Sequence, residues 1–222
     1  MKSQIRFKVI VAVIGALSCL STTLLFAQTP NVEIEALDLE EWVRPNSLWG
    51  NTNYEDGQLF MSSKELKHYY VLVATEENIT IGAKARVTLK NVAAADSSLG
   101  YGLIFHSDTT PLRQGYAFLI NTMSQQYRVV RHVPNDELNV IPWTVSSAIK
   151  TLTEENTLEI RDTGTRTDLF INGKYVNSVS NEFAFKNGVV GLYSGDKVKI
   201  AFCRLTLVRT KRADKNTDRR DQ

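Results

Sequence analysis

Residues able to move protons, hold metal ions or grip a polar ligand are few here, and they rarely fall together. The three histidines are His68, His106 and His132. His106 ends the run Leu99-Gly-Tyr-Gly-Leu-Ile-Phe-His-Ser-Asp108, two residues before an acid. Within that run Tyr101, Leu103 and Phe105 form the heavier apolar parity and belong in a core, which assigns Gly102, Ile104 and His106 to the other face. His106 is then an exposed strand-end residue and Asp108 a turn former; an acid/base pair of the two is the alternative. His68 and His132 lack HxH or HExxH spacing, so no catalytic zinc set is legible. No serine stands in Gly-x-Ser-x-Gly. The sequence therefore names no catalytic residue, no fixed metal set and no cofactor. Calcium stays open, because loop carbonyls and carboxylates hold it without fixed spacing; Asp56, Asp108 and Asp196 are the carboxylates considered.

A site for a polar ligand with an apolar face pairs exposed rings with amides and charged groups. The parity facing away from the core supplies His106, Asn121, Arg128 and Trp143, with Tyr116 or Tyr127 if a face is inverted. Gly100 and Gly102 would leave room for a ligand above the sheet. The competing reading of Trp143 is a ring that plugs one end of a sandwich.

The elements that must position these residues are strands. Residues 79–89 alternate apolar and polar side chains, the signature of a half-buried strand. Similar runs occupy 58–62, 69–74, 100–106, 116–121, 126–132, 157–162, 167–171, 174–178, 189–193 and 197–208. Turn signals separate them: Asp56-Gly57, Pro134-Asn135-Asp136, Asn172-Gly173, Asn187-Gly188 and Gly195-Asp196. Asn172-Gly173 suits a type I′ hairpin, in which both central residues take positive φ. In the last run Val198, Ile200 and Phe202 share one parity while Leu205 and Leu207 fall on the other, so a β-bulge at Cys203-Arg204 must restore the face. Residues 142–150 could form one short helical turn. Antiparallel strands without helices predict an all-β fold, a two-sheet jelly-roll sandwich.

The chain begins with a basic stretch (Lys2, Arg6, Lys8), an apolar stretch and a small residue at Ala27, the layout of a cleaved export signal. A retained membrane anchor is the alternative, since residues 7–27 are nearly long enough to span a bilayer. Of 222 residues, cleavage after residue 27 leaves 195, suited to one large β domain. It also leaves Cys203 alone, so no internal disulfide forms. The leader takes three of the 26 Lys and Arg and none of the 24 Asp and Glu, so the rest carries a net charge of −1. Residues 28–208 hold 17 basic and 21 acidic side chains, which predicts no basic patch for nucleic acid. The organisation expected is a signal at 1–27, an N-terminal segment with an edge strand at 28–45, the sandwich at 46–208, and a charged, disordered tail at 209–222.

Seven short motifs carry a family likeness: Tyr54-Glu-Asp-Gly-Gln58, Gly100-Tyr-Gly-Leu-Ile-Phe105, Tyr116-Ala-Phe-Leu-Ile120, Gln126-Tyr-Arg128, Trp143 with Ala148-Ile149, Leu169-Phe-Ile-Asn-Gly173 and Val190-Gly-Leu192. In that order they resemble the concanavalin A-like lectin/glucanase superfamily over residues 46–208. More narrowly, they are similar to laminin-G-like modules and to the related 3-keto-disaccharide hydrolase domain. The resemblance implies two antiparallel sheets, one of them curved, with carbohydrate taken on the concave side. Two positions depart from it: Cys203 where relatives carry an acid, and His106 where they often carry arginine. Retaining glycosidases of the superfamily use Glu-x-Asp-x-x-Glu. The nearest match here, Glu33-Ile-Glu-Ala-Leu-Asp38, lies outside the likeness and reads as a solvated edge strand. Glu159 and Asp162, three apart on a strand, should point to opposite faces.

These observations predict an exported module, periplasmic, cell-surface or extracellular, that binds a carbohydrate or cell-surface glycan without catalysis. No nucleic acid is expected as partner, and no membrane span once the signal is cleaved. The alternatives are a glycoside hydrolase or lyase acting on (3-keto-)disaccharides or related glycans, and a structural envelope protein.

Overall fold

The computed structural model describes residues 32–75, 82–111, 113–185 and 188–210. The expected signal at 1–27, residues 79–81 of one expected strand, Asn187 of one turn, and the tail beyond 210 lie outside them. In chain order the strands are β1 (Val32–Leu37), β2 (Gly50–Glu55), β3 (Gln58–Ser63), β4 (Tyr69–Val73), β5 (Lys84–Asn91), β6 (Tyr101–Ser107), β7 (Gly115–Asn121), β8 (Gln126–Val133), β9 (Asp136–Val145), β10 (Asn156–Asp162), β11 (Arg166–Ile171), β12 (Lys174–Ser180), β13 (Val189–Gly195) and β14 (Ile200–Thr210). Among the described residues the helical content is one 3-10 turn, Glu40–Trp42. No described helix is long and apolar enough to cross a membrane.

Pairing is antiparallel throughout and builds two sheets. An eight-stranded sheet runs β12-β11-β10-β5-β14-β3-β2, with β1 also paired to β14; a six-stranded sheet runs β4-β13-β6-β7-β8-β9. Alternation decides what lies between them. Ala85, Val87 and Leu89 of β5 and Leu158 and Ile160 of β10 meet Tyr101, Leu103 and Phe105 of β6 and Tyr116, Phe118 and Ile120 of β7, all in one buried cluster. Each fully buried large side chain removes enough apolar surface to contribute about 1.5–3 kcal/mol. The fold is an all-β jelly-roll sandwich.

Two bulges adjust the pattern. On β14 the register with β5 shifts between Phe202 and Arg204, which lets Phe202 and Leu205 both face the core, as the slipped parity requires. On β6 the pairing with β13 shifts between Val189 and Gly191, and His106 takes φ 50°. That left-handed residue breaks the alternation and turns the His106 side chain inward. Gly115 and Gly188 pack against its backbone; a Cβ on Gly188 would lie 2.4 Å from the His106 Cα.

Three elements bear on the sequence reading. β9 takes up residues 142–145 of the stretch expected to turn, and the short turn follows at 146–149, where the Ile149 amide donates to the Ser146 carbonyl. Pro142 is tolerated because β9 is an edge strand whose pairing slips twice beside β8. β2 was not foreseen. β1 is an edge strand, as expected: it joins the eight-stranded sheet along β14, and its partly solvated Glu35 pairs with Arg209.

Candidate functional site

The outer face of the six-stranded sheet is a trough. Tyr69 on β4 and His132 on β8 are separated by three strands, yet their rings stack with centroids 6.2 Å apart. Strands sit about 4.8 Å apart, so a flat sheet would hold these two backbones roughly 19 Å from each other. Small and apolar residues form the floor: Ile104, Ala117, Leu119 and Val130, with Val71 at one side. Tyr193 from β13 leans over that floor, 4.9 Å from Tyr69 and 6.2 Å from His132, in near-parallel stacks.

Polar groups converge on the β8–β9 side. The two-residue turn Pro134-Asn135 sets His132 opposite Glu137 in register, and His132 Nε2 lies 3.1 Å from Glu137 Oε1. Arg128, two residues along the same face of β8 from Val130, donates from Nη2 to the Leu99 carbonyl at 2.8 Å and lies 3.5 Å from Glu137 Oε2. Its guanidinium carbon sits 5.1 Å from the centre of the half-buried Trp143 ring. Among the described residues three buried side-chain polar atoms lack a hydrogen-bond partner: Arg128 Nε, His132 Nδ1 and the Tyr193 hydroxyl. All three belong to this cluster. The Tyr193 hydroxyl feels the Glu137 charge without a well-aligned bond to it; burial, then that charge, pushes its pKa well above the ordinary tyrosine value. Burial and the charges of Glu137 and Asp136 push Tyr69 up to about 12, against the lowering effect of Arg128. Both phenols stay protonated and able to donate.

Beside the polar cluster the trough opens into an aromatic cavity of about 340 Å³ lined by Trp49, Tyr69, Tyr70, Val71 and Pro111. Trp49, on the loop before β2, is 70% exposed. An exposed indole over apolar walls suits the CH face of a sugar ring.

The residues expected from sequence separate into two groups. Arg128 and Trp143 reach the trough. Asn121 lies at its end with its amide occupied, donating to Asp96 Oδ1 and the Ser97 carbonyl and accepting from the Met123 amide. The other three candidates need correction. Tyr116 and Tyr127 face the inter-sheet core, where their hydroxyls donate to the carbonyls of Ser180 and Val176. His106 is not exposed: turned inward by the bulge, it is fully buried, with Nε2 3.0 Å from Thr167 Oγ1 and 3.7 Å from Asp162 Oδ2. Asp108 is not its partner, and instead accepts from the Thr110 amide as a turn former. The glycines do not clear space for a ligand either. A Cβ on Gly100 would meet the Trp143 ring at 2.8 Å, and one on Gly102 would meet the Phe118 carbonyl and Leu158. Glu159 and Asp162 do face opposite ways, the first to Arg86 and Arg161 outside, the second to His106 inside.

Of the carboxylates considered for calcium, Asp56 lies in the β2–β3 turn and Asp108 in its own turn. Asp196 accepts from the amides of Lys67 and Leu99 and the hydroxyls of Ser97 and Ser98, which fasten three loops together. No group of three or more His, Cys, Asp or Glu side chains among the described residues could hold a metal ion. Cys203 is half-buried; burial and then Glu155 raise its thiol pKa, the reverse of nucleophile activation.

No family model and no curated protein matches the chain. Solved structures do. The lumenal domain of VIP36 in its Ca²⁺- and Man3GlcNAc-bound form superposes with a TM-score of 0.51 at 13% identity, covering 80% of this chain and 90% of that one. The fold is that of the lectin-like jelly rolls. A structure from work on endo-acting O-glycanases with which human gut bacteria initiate mucin breakdown gives 0.52 at 9% identity, over 82% and 93%. At such identities the likeness establishes the architecture, and the lectin-like sandwich carries no residue assignment with it.

Proposed function

We propose that the chain is an exported carbohydrate-binding module that takes a glycan in the trough of its six-stranded sheet. The observation that carries this reading is the convergence of Arg128 Nε, His132 Nδ1 and the Tyr193 hydroxyl, three buried polar atoms without partners. Such groups are costly to leave unmet, by about 1–3 kcal/mol each, and a ligand rich in hydroxyls meets them. Tyr69 covers them from above and is itself only half-buried, so its ring is the one that turns aside. Trp49 at the aromatic cavity and Trp143 beside Arg128 are the rings that stack on sugars. The VIP36 and mucin-glycanase structures, both from proteins described with glycans, support the choice of ligand class. The narrower resemblance to laminin-G-like modules and the basic, then apolar, amino-terminal sequence belong to the same proposal.

Calorimetry against a polysaccharide panel tests it. Trp49→Ala and Trp143→Ala are each expected to weaken binding at least about tenfold with the melting temperature nearly unchanged. Silence across the panel, or binding indifferent to both substitutions, refutes it.

One observation favours a second reading, a glycan-cleaving enzyme: the buried His132–Glu137 pair at 3.1 Å could pass a proton. That pair differs from the two carboxylates of a retaining glycosidase. Release of reducing sugar that Glu137→Gln abolishes would establish it.

A further inference from the structure

The outer face of the eight-stranded sheet gathers cations that the chain's average charge conceals. Lys84 on β5 stands directly opposite Arg161 on β10, Arg86 opposite Glu159, and Arg204 on β14 opposite Thr88. Lys90 completes the outward positions of β5, and Lys84, Arg86, Lys90 and Arg204 are all exposed. Like charges directly opposite each other destabilise a sheet, and Lys84 against Arg161 is such a pair. The acid at the centre is enclosed: the Glu159 side chain is 3% exposed and accepts from Arg86 Nε and Nη2 and from Arg161 Nε. Burial alone would raise its pKa, but the two guanidinia outweigh that and hold the carboxyl below its usual range. Glu155 adds an acid at the border near Cys203 and Lys90, and Asp168 is taken by Arg166.

The arrangement aims donors outward. Arg161 lies over Phe170, its guanidinium carbon 3.8 Å from the ring centre, which fixes its plane. With Nε spent on Glu159, both terminal nitrogens of Arg161 and Nη1 of Arg86 make no hydrogen bond among the described residues. Beside Arg86 lies a cavity of about 410 Å³ lined by Arg86, Lys150, Thr157, Glu159, Asn172 and Gly173. The Asn172 amide is fully used, by the Ala148 carbonyl, Asn156 Oδ1 and the Thr157 amide. What remains in reach of a ligand is Arg86, Lys150 and the Thr157 hydroxyl, beside a Glu159 carboxylate already met by its two guanidinia.

We propose that this cavity is a second ligand site, separate from the trough, for the carboxylate or sulfate groups of an acidic polysaccharide. Arg86 and Lys150, which line the cavity, donate to the oxyanion; Arg161 on the far side of Glu159, with Lys84, Lys90 and Arg204, attracts the rest of the polymer along the face. Guanidinium and ammonium donors suit a carboxylate or sulfate edge, and the buried Glu159 carboxylate holds the Arg86 guanidinium in place with its Nη1 left to donate. Nucleic acid fits less well. Strand-binding proteins stack bases on rows of free rings, whereas Phe170 lies under Arg161 and Tyr175 is turned edge-on to it.

Affinity electrophoresis of the full chain in gels containing polygalacturonate, dextran sulfate or neutral dextran reads the proposal directly. The expected result is retardation by one of the two polyanions, salt-sensitive, and none by neutral dextran. Lys84→Gln with Lys150→Gln leaves both guanidinia on Glu159, so the fold is spared; it should weaken binding about tenfold at an unchanged melting temperature. Which polyanion binds tells carboxylate from sulfate. Trp143→Ala should leave this binding intact. The proposal is overturned by no retardation, by full affinity in the double variant, by loss in Trp143→Ala, or by equally tight binding of duplex DNA. The basic residues beyond position 210 are present in every variant, so differences between variants report on the sheet face alone.

Discussion

Two buried histidines face carboxylates among the described residues, His106 between the sheets and His132 in the trough, and their surroundings differ in completeness. Around His106 the bonds close on themselves. Its Nε2 meets Thr167 Oγ1, Thr167 donates to Asn181 Oδ1, Asn181 Nδ2 donates to Asp162 Oδ1, and the Gly82 amide donates to Asp162 Oδ2. With the hydroxyl proton of Thr167 spent on Asn181, the neutral imidazole carries its own proton on Nε2. Around His132 the chain of bonds stops short: Nδ1 has no partner, and neither has Arg128 Nε or the Tyr193 hydroxyl beside it. A closed network rigidifies a fold, while an open one keeps capacity for something from outside. The inter-sheet space is therefore read as structure and the trough as site.

The largest expected effect tests that division by packing. Phe118 is fully buried between the sheets, so Phe118→Ala should cost about 3–5 kcal/mol in urea denaturation. Trp143→Ala, at the half-open rim of the trough, should cost about 1 kcal/mol or less. Equal costs would mean that the rim is core. The next effect concerns acid. Burial lowers the His106 pKa to about 4, against the opposing charge of Asp162, from a free value near 6.5. The unfolded chain takes up the proton first, so this group's contribution is whole above about pH 6.5 and declines as pH falls to about 4. The loss amounts to about 3 kcal/mol. His106→Asn, which tolerates the left-handed backbone, should flatten melting temperature against pH over that interval. A slope shared by both proteins would remove His106 as the cause.

The contrast between the regions also explains what the sequence could tell. Strand alternation exposed nearly all of the sandwich, and the bulge at Cys203 was legible because apolar residues on both sides of it slip parity. The bulge at His106 was not. Only Ser107 follows it in β6, so no pattern remained to betray the switch, and a buried histidine read as an exposed one. In the trough Arg128 and Trp143 could be reached by parity, and Glu137 could have been, because a two-residue turn after Val133 fixes its register with His132. Tyr69 and Tyr193 could not. They come from β4 and β13, neighbours only through long-range pairing, and they meet His132 through curvature that no local spacing records. The cations of the opposite face were hidden in the same way: a composition slightly richer in acids says nothing about which face the bases share.

The smallest effect is the sharpest test, because it compares two tyrosines of nearly identical burial. Tyr116 is 1% exposed and its hydroxyl donates to the Ser180 carbonyl at 3.1 Å; Tyr193 is fully buried and its hydroxyl has no partner. Removing each oxygen changes little volume, so the difference between the two phenylalanine variants isolates the hydrogen bond. Tyr116→Phe takes a donor from the carbonyl of the exposed Ser180 and leaves no buried group unmet, so it should destabilise by about 1 kcal/mol, the worth of the hydrogen bond itself. Tyr193→Phe removes a desolvated hydroxyl that feels the Glu137 charge but makes no well-formed hydrogen bond, so its stability should hold or rise by up to about 1 kcal/mol. The same substitution should weaken glycan binding, since the lost hydroxyl is one of the three groups the ligand is proposed to meet. Stability and binding then move in opposite directions at Tyr193. If Tyr193→Phe costs as much stability as Tyr116→Phe, the hydroxyl is already satisfied in the free protein, and the trough is as closed as the space between the sheets.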